Sequence, residues 1–204
     1  MISAKCAGKS AFLSCYSYCR KLLSESERLT GRSLSLVKFM ASSDYGKIEI
    51  VNYIYQNFAP GSTCLDVGAC DGKWHGLLGH YLTMDAVEIF EPNIAVHGLK
   101  WKYRNVYHAD IATLEYSWYD LIIFGDVIEH MEIGTAQEVL KTAESRCRDM
   151  IVGVPYLYPQ DAIYGNPYEE HLQPDLTPEI FAERYPLLEL IHGDRHYGYY
   201  HKRV

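Results

Sequence analysis

The sequence predicts an α/β fold of three layers, in which helices cover both faces of a mainly parallel, seven-stranded sheet. From Gly46 onward short apolar runs alternate with helical patterns, and strands separated by helices indicate parallel crossover connections. The last two strand-like runs have no helix between them, which predicts a C-terminal antiparallel hairpin. A chain of 204 residues is long enough for one well-filled domain, so we expect one active site.

Periodicity and turn residues place the individual elements. Helical spacing from Ile48 to Phe58, followed by Ala59-Pro60-Gly61, predicts a helix before the first strand. The predicted strands are 63–67, 86–90, 105–108, 119–124, 150–154, 187–191 and 197–200. The predicted helices between them are 74–82, 93–100 and 135–147, the last with Ala136, Val139, Leu140 and Ala143 on one apolar face.

Residues 1–43 differ in composition from the domain that we assign to residues 44–204. No acidic residue occurs before Ser24, while lysines, arginines, serines and cysteines are frequent. The pattern is typical either of a transit peptide or of an amphipathic helical extension, and we favour the extension.

Composition and net charge limit the classes of binding partner that we expect. The chain is 48% hydrophobic and 22% charged, and no apolar run approaches the ~18 residues of a membrane span. A net charge of -7 offers no general attraction for a nucleic acid, so neither membrane nor nucleic acid is an expected partner. The six cysteines contain no CxxC pair, which favours reduced thiols and a cytoplasmic protein.

Polar and small residues follow the predicted strands at the edge where parallel α/β sheets bind ligands. The loop 66–72, DVGACDG, has the small residues that let a ligand approach the backbone, although a plain structural turn is an equally good interpretation. Glu91 follows the second strand, where a carboxylate can accept both hydroxyls of a ribose. Glu88 competes for that role, but we place it mid-strand and favour Glu91.

Three stretches resemble the motifs of class I S-adenosylmethionine-dependent methyltransferases of the small-molecule type. They are LDVGACDG at 65–72, FEP at 90–92 and YDLIIFGDVIEH at 119–130. The resemblance implies a Rossmann-like fold and S-adenosyl-L-methionine as cofactor. Cys70 departs from the family pattern, which has a glycine there.

The resemblance also implies roles for individual residues. Asp66, Gly68, Ala69 and Gly72 would surround the methionine part of the cofactor, and Gly125 and Asp126 would lie beneath it. Glu91, followed by Pro92, would hold the ribose. Asp110 and Ile111 would flank the adenine.

The acceptor side is less specific. His130 is a candidate general base or acceptor-orienting residue, and a packing role has equal weight. The long irregular stretch 154–178 predicts a substrate-facing segment with Tyr156, Tyr164, Glu169 and His171, or else a tyrosine-rich surface loop. Asp126, Glu129, His130, Glu169 and His171 could ligate a metal, but their spacing is specific for none, so we predict no metal.

The predicted function is methyl transfer to a small-molecule acceptor. A protein that binds the cofactor without catalysis is the alternative, and a protein side chain is a less favoured acceptor. A nicotinamide-dependent enzyme would need GxGxxG, whereas the corresponding residues are Gly68, Cys70 and Lys73.

Overall fold

The computed structural model describes residues 44–163 and 165–202, and the predictions for residues 1–43 and for Tyr164 lie outside them. Five strands precede a closing strand pair, and helices connect these five except between the third and the fourth. In chain order the elements are α1 Lys47–Asn57, β1 Thr63–Val67, α2 Lys73–Leu78, β2 Thr83–Glu88, α3 Glu91–Val96, α4 Leu99–Lys102, β3 Val106–His108, β4 Tyr119–Gly125, α5 Ile133–Ser145, β5 Cys147–Pro155, α6 Pro178–Arg184, β6 Leu188–Gly193 and β7 Tyr197–Lys202, with short 3-10 helices at Ile128–His130 and Pro167–Glu169.

The strands form one seven-stranded sheet in the order β3-β2-β1-β4-β5-β7-β6. The pairs among β1 to β5 are parallel, and β7 runs antiparallel to both β5 and β6. The predicted fold class, including the C-terminal hairpin, is therefore confirmed. Across the described ranges no helix combines the length and the apolar character needed to cross a membrane.

Strand alternation divides the core into two layers, one on each face of the sheet. In β4, Leu121 and Ile123 pack on the side of α1 and α2, while Ile122 and Phe124 pack on the side of α5. The four residues predicted for the apolar face of α5 are all buried there. Burial on both faces explains why β4 is apolar at every position from Leu121 to Phe124.

Several predicted boundaries differ from the structure. The strand predicted at 86–90 begins three residues and ends two residues earlier, because β2 pairs with β1 from Thr63↔Thr83 to Val67↔Val87. The helix predicted at 74–82 ends at Leu78. The helix predicted at 93–100 is divided into α3 and α4 at Gly98, whose left-handed backbone (φ 60°) interrupts the helical hydrogen bonding.

Helix α6 was not predicted, although the sequence carries its signal. Thr177 caps the helix by accepting a hydrogen bond from the Ile180 N–H at 3.2 Å, and Pro178 occupies the first turn. A threonine followed by proline and glutamate is typical of a helix start.

The strand order reverses between β1 and β4. From β1 the chain proceeds to β2 and β3 on one side, and from β4 it proceeds to β5 on the other. In open α/β sheets ligands bind beyond the carboxyl ends of the strands at such a reversal of strand order. The loops that follow β1, β2 and β4 are therefore the elements that can build a site.

Candidate functional site at the carboxyl edge of the sheet

The loop after β1 is compact and closely packed. Gly68 has a φ of 70°, and a Cβ atom there would lie 2.7 Å from the Val127 side chain. Gly72 has a φ of 76° and begins α2, and buried Ala69 lies between these two glycines. Cys70 also has a left-handed backbone, with a φ of 44°, which explains why a glycine suits this position in the methyltransferase motif.

Glu88 is the last residue of β2 and bonds to the loop 66–72, which we call the glycine loop. Its side chain is buried, and its carboxylate accepts hydrogen bonds from the backbone N–H groups of Cys70 and Phe90, both at 2.8 Å. Each oxygen keeps a lone pair for a further donor. The assumption that Glu88 lies mid-strand is wrong, because the strand ends at this residue.

Glu91 and Pro92 lie beyond the strand rather than at its tip. They are the first two residues of α3, and both are exposed. The reason is that β2 ends two residues earlier than predicted, so that Glu88 is its last residue and Glu91 lies on the following helix. The structure therefore places Glu88, and not Glu91, against the glycine loop.

Asp66 lies beneath the loop with 1% of its surface exposed. Tyr103 donates a hydrogen bond to its Oδ2 atom, and its Oδ1 atom has no hydrogen-bond partner among the described residues. Burial raises the pKa of Asp66 to about 7, while the bond from Tyr103 and the charge of Lys47 act in the opposite direction. The carboxyl group is thus held near the boundary between its neutral and charged forms.

Lys47 is a buried cation that the sequence analysis missed. Its Nζ atom lies 4.6 Å from the centroid of the Trp74 ring and 3.4 Å from the Tyr199 hydroxyl. Burial lowers its pKa, and the nearby charges of Asp126 and Asp66 raise it in part. A single lysine ahead of a helical pattern carries no sequence signal, because its burial depends on distant aromatic residues.

Gly125 ends β4 directly under Trp74. A Cβ atom at Gly125 would collide with the indole nitrogen, so the close approach of the ring requires glycine. The next residue, Asp126, has a left-handed backbone (φ 58°) and accepts a hydrogen bond from the Tyr197 hydroxyl at 2.8 Å. Backbone strain of this kind is concentrated at functional sites.

The residues after β3 occupy a turn. Asp110 is exposed, and its Oδ1 atom accepts a hydrogen bond from the Ala112 N–H at 2.9 Å, so its carboxylate stabilises its own turn. Ile111 is 7% exposed and packs in the core layer on the α5 side. Both follow β3 at the same edge of the sheet as Glu88.

The segment 154–178 supplies a further carboxylate to this edge. Glu169 is half-buried and accepts a hydrogen bond from the Asn166 amide at 3.1 Å. Burial is the main cause that raises the pKa of Glu169. The hydrogen bond from Asn166 lowers the pKa, and the negative charges of Glu88 and Asp126 raise it. The segment therefore brings Glu169 within electrostatic reach of the ends of β2 and β4.

Two other predicted residues of this segment have different surroundings. Tyr156 is 5% exposed and its hydroxyl bonds to that of Tyr200, so it packs in the core and does not match the predicted substrate-facing position.

His171 is half-buried, and its ring lies 4.6 Å from that of His130, centroid to centroid. Burial lowers the pKa of His130 to about 4, which keeps its imidazole neutral at pH 7 and makes it a weak base.

Several solved methyltransferases have structures similar to that of this chain. An S-adenosylmethionine-dependent methyltransferase from Clostridium acetobutylicum matches with a TM-score of 0.62 and 11% identity, over 91% of this chain and 99% of that one. The 1,6-didemethyltoxoflavin-N1-methyltransferase of Burkholderia thailandensis, bound to 1,6-didemethyltoxoflavin and S-adenosylhomocysteine, matches with a TM-score of 0.58 and 16% identity, over 99% of this chain and 92% of that one. The N-methyltransferase NodS of Bradyrhizobium japonicum matches with a TM-score of 0.54 and 11% identity, over 79% of this chain and 97% of that one.

No protein-family model matches the sequence, and no curated protein matches it either. At 11 to 16% identity the structural matches establish the fold alone. The protein therefore has the Rossmann-like fold that these S-adenosylmethionine-dependent methyltransferases share.

Proposed function

We propose that the protein transfers a methyl group from S-adenosylmethionine to a small-molecule acceptor. The observation that carries the proposal is the position of Glu88, a buried carboxylate at the end of β2 that is fixed against the glycine loop. A carboxylate there can accept both ribose hydroxyls of an adenosyl group, with Gly68, Ala69 and Gly72 beside it. In this assignment Glu88 takes the role that the sequence favoured for Glu91.

The charge at this edge fits a cationic cofactor. The charges of Glu88 and Asp126 are close enough to Glu169 to raise the pKa of that carboxyl group. The sulfonium and the amino group of S-adenosylmethionine are positive, so binding would relieve this repulsion. We assign the single carboxylate of the cofactor to Lys47, a buried cation whose pKa is raised in part by the charges of Asp126 and Asp66.

The remaining predicted contacts belong to the same proposal. Asp66 supports the glycine loop from below, Gly125 leaves room for Trp74 beside the methionyl chain, and Ile111 covers one face of the adenine. We assign Asp110 to the adenine side by its position after β3, with its carboxylate engaged in the turn.

The acceptor is proposed to bind under the segment 154–178. The cofactor supplies the activated methyl group, so the protein has to orient a nucleophile and exclude water. Glu169 and His171 come from this segment and His130 from the 3-10 helix after β4. The toxoflavin precursor bound to the Burkholderia enzyme supports a small molecule as the class of acceptor.

Calorimetric titration with S-adenosylhomocysteine tests the proposal. We expect the unmodified protein to bind it with one site, and Glu88→Gln to weaken binding by about 1 to 3 kcal/mol, the usual cost of lost charge-assisted hydrogen bonds. Glu91→Gln is the matched control and should leave the dissociation constant unchanged, because Glu91 is exposed on α3. Binding of a nicotinamide dinucleotide in place of S-adenosylhomocysteine would contradict the proposal.

A further inference from the structure

Glu129 is a buried carboxylate whose oxygens make no hydrogen bond of regular geometry with the described residues. It is 1% exposed, and neither of its oxygens has a hydrogen-bond partner among the described residues. The backbone N–H groups of Glu129 and Val127 favour the charged form, but neither makes a regular hydrogen bond with the carboxylate. A carboxylate in such a place costs several kcal/mol unless a proton or a cation neutralises it.

Two imidazole rings accompany this carboxylate. One ligand atom each from Glu129, His130 and His171 lie within 4.8 Å of one another. The rings of His130 and His171 meet edge to face, with an interplanar angle of 81°. Oxygen and nitrogen donors thus converge at one point beside the end of β4.

Backbone carbonyl groups orient both rings. The His130 Nδ1 atom lies 3.0 Å from the Glu170 carbonyl oxygen, and the His171 Nδ1 atom lies 2.7 Å from the Tyr158 carbonyl oxygen. A carbonyl only accepts, so each Nδ1 carries the proton and the lone pair is left on Nε2. This is the arrangement by which proteins prepare histidines as metal ligands.

The chain around the cluster is fixed as well. The Glu129 carbonyl oxygen accepts from the Leu172 and Gln173 N–H groups at 2.9 and 3.0 Å. The Gln173 amide, 2% exposed, donates to the carbonyl groups of Ile128 and Met131 at 2.9 and 3.1 Å. These bonds hold Leu172 and Gln173, the two residues after His171, against the 3-10 helix that carries Glu129 and His130.

We propose that Glu129, His130 and His171 bind a divalent transition-metal ion. Two imidazoles and one carboxylate suit zinc, cobalt, manganese or iron better than magnesium or calcium, which prefer oxygen ligands. Three protein ligands leave at least one coordination position for water or for an oxygen of a substrate. The sequence analysis considered these three residues as ligands and predicted no metal because their spacing is specific for none, whereas the fold brings one ligand atom of each together.

The ligand atoms of Glu129, His130 and His171 have to move slightly closer together to coordinate a metal ion. Ligand atoms about 2.0 Å from a tetrahedral zinc ion lie roughly 3.3 Å apart. The largest separation in the cluster is 4.8 Å, so the side chains have to approach by about 1.5 Å. The charges of Asp126 and Glu169, which disfavour the ionised form of Glu129, would favour a cation there.

Titration of the chelator-treated full chain with cobalt(II) tests the site. We expect one equivalent to bind and to give a visible d–d spectrum without thiolate-to-cobalt charge-transfer bands, which separates this site from one built by cysteines. His171→Ala should weaken binding at least 10-fold, and Glu129→Gln provides a second variant whose folding is checked by circular dichroism. His80→Ala, at an exposed histidine, should bind like the unmodified protein.

Three results would overturn the proposal: no binding, a thiolate spectrum, or binding that survives both substitutions. Titration of the same preparations with S-adenosylhomocysteine keeps the two proposals separate. Cofactor binding without cobalt binding would contradict the metal site alone. Cobalt binding without cofactor binding would contradict the proposed methyl transfer alone.

Discussion

Asp66 couples the stability of the protein to pH. Its folded-state pKa of about 7 lies above the ordinary aspartate value of 3.8, so between these values the folded state holds a proton that the unfolded state releases. The stabilisation from this group is complete below pH 3.8 and is lost as the pH rises through about 7. The free energy of unfolding should therefore carry a contribution that decreases over this interval.

Asp66→Asn should remove that contribution while keeping an oxygen for the Tyr103 hydroxyl. When the pH rises from 5 to 8, we expect the free energy of unfolding of the unmodified protein to fall by about 2 to 3 kcal/mol more than that of the variant. Urea unfolding at the two pH values measures this difference, with Asp161→Asn at an exposed position as control. An unchanged pH dependence in Asp66→Asn would show that the carboxyl group is not the source.

Single residues also show where sequence analysis stops. The acid at the end of β2 was assigned to Glu91 because the strand end was placed two residues too late. That end is fixed by pairing with β1, a contact between distant parts of the chain. Local patterns identified an acidic residue near the glycine loop, but the pairing register decides that it is Glu88.

At the scale of elements, Gln173 joins the segment 154–178 to the rest of the domain. Its side chain bonds to the 3-10 helix after β4, and its Oε1 atom accepts from the Tyr185 hydroxyl at 2.8 Å. Removing the amide would take these bonds from the Met131 carbonyl group and the Tyr185 hydroxyl, while the Ile128 carbonyl group would keep its bond from the Met131 N–H.

Gln173→Leu should lower the free energy of unfolding by about 2 to 4 kcal/mol, the combined cost of several unsatisfied buried groups. Chemical denaturation measures the loss. Gln137→Leu is the matched control, because the Gln137 amide makes one exposed bond to the Arg184 carbonyl group and its loss should cost little. Equal stability of the two variants would mean that Gln173 does not hold the segment.

The elements themselves were largely predictable from periodicity. The helix before β1, the apolar face of α5 and the closing hairpin all follow from local patterns that the tertiary structure preserves. Helix α6 was missed in spite of its capping residues. The convergence of Glu129, His130 and His171 could not be predicted, because it depends on Gln173 and its long-range bonds.

At the scale of the whole molecule, the order of strands brings acidic residues to one edge of the sheet. The strand order reverses between β1 and β4, and Glu88 at the end of β2 and Asp126 after β4 are close enough to Glu169 to raise the pKa of its carboxyl group. A net charge of -7 gives no sign of this local concentration, because the composition does not say which acids are neighbours. The proposed cofactor site and the proposed metal site share this acidic edge.

A crystal structure of the complex with S-adenosylhomocysteine tests the central claim most directly. The account predicts the adenosyl group in the crevice between β1 and β4, with both ribose hydroxyls within hydrogen-bond distance of the Glu88 carboxylate and the ligand carboxylate at Lys47. A ribose bound by Glu91, or a ligand bound away from the carboxyl ends of these strands, would contradict it.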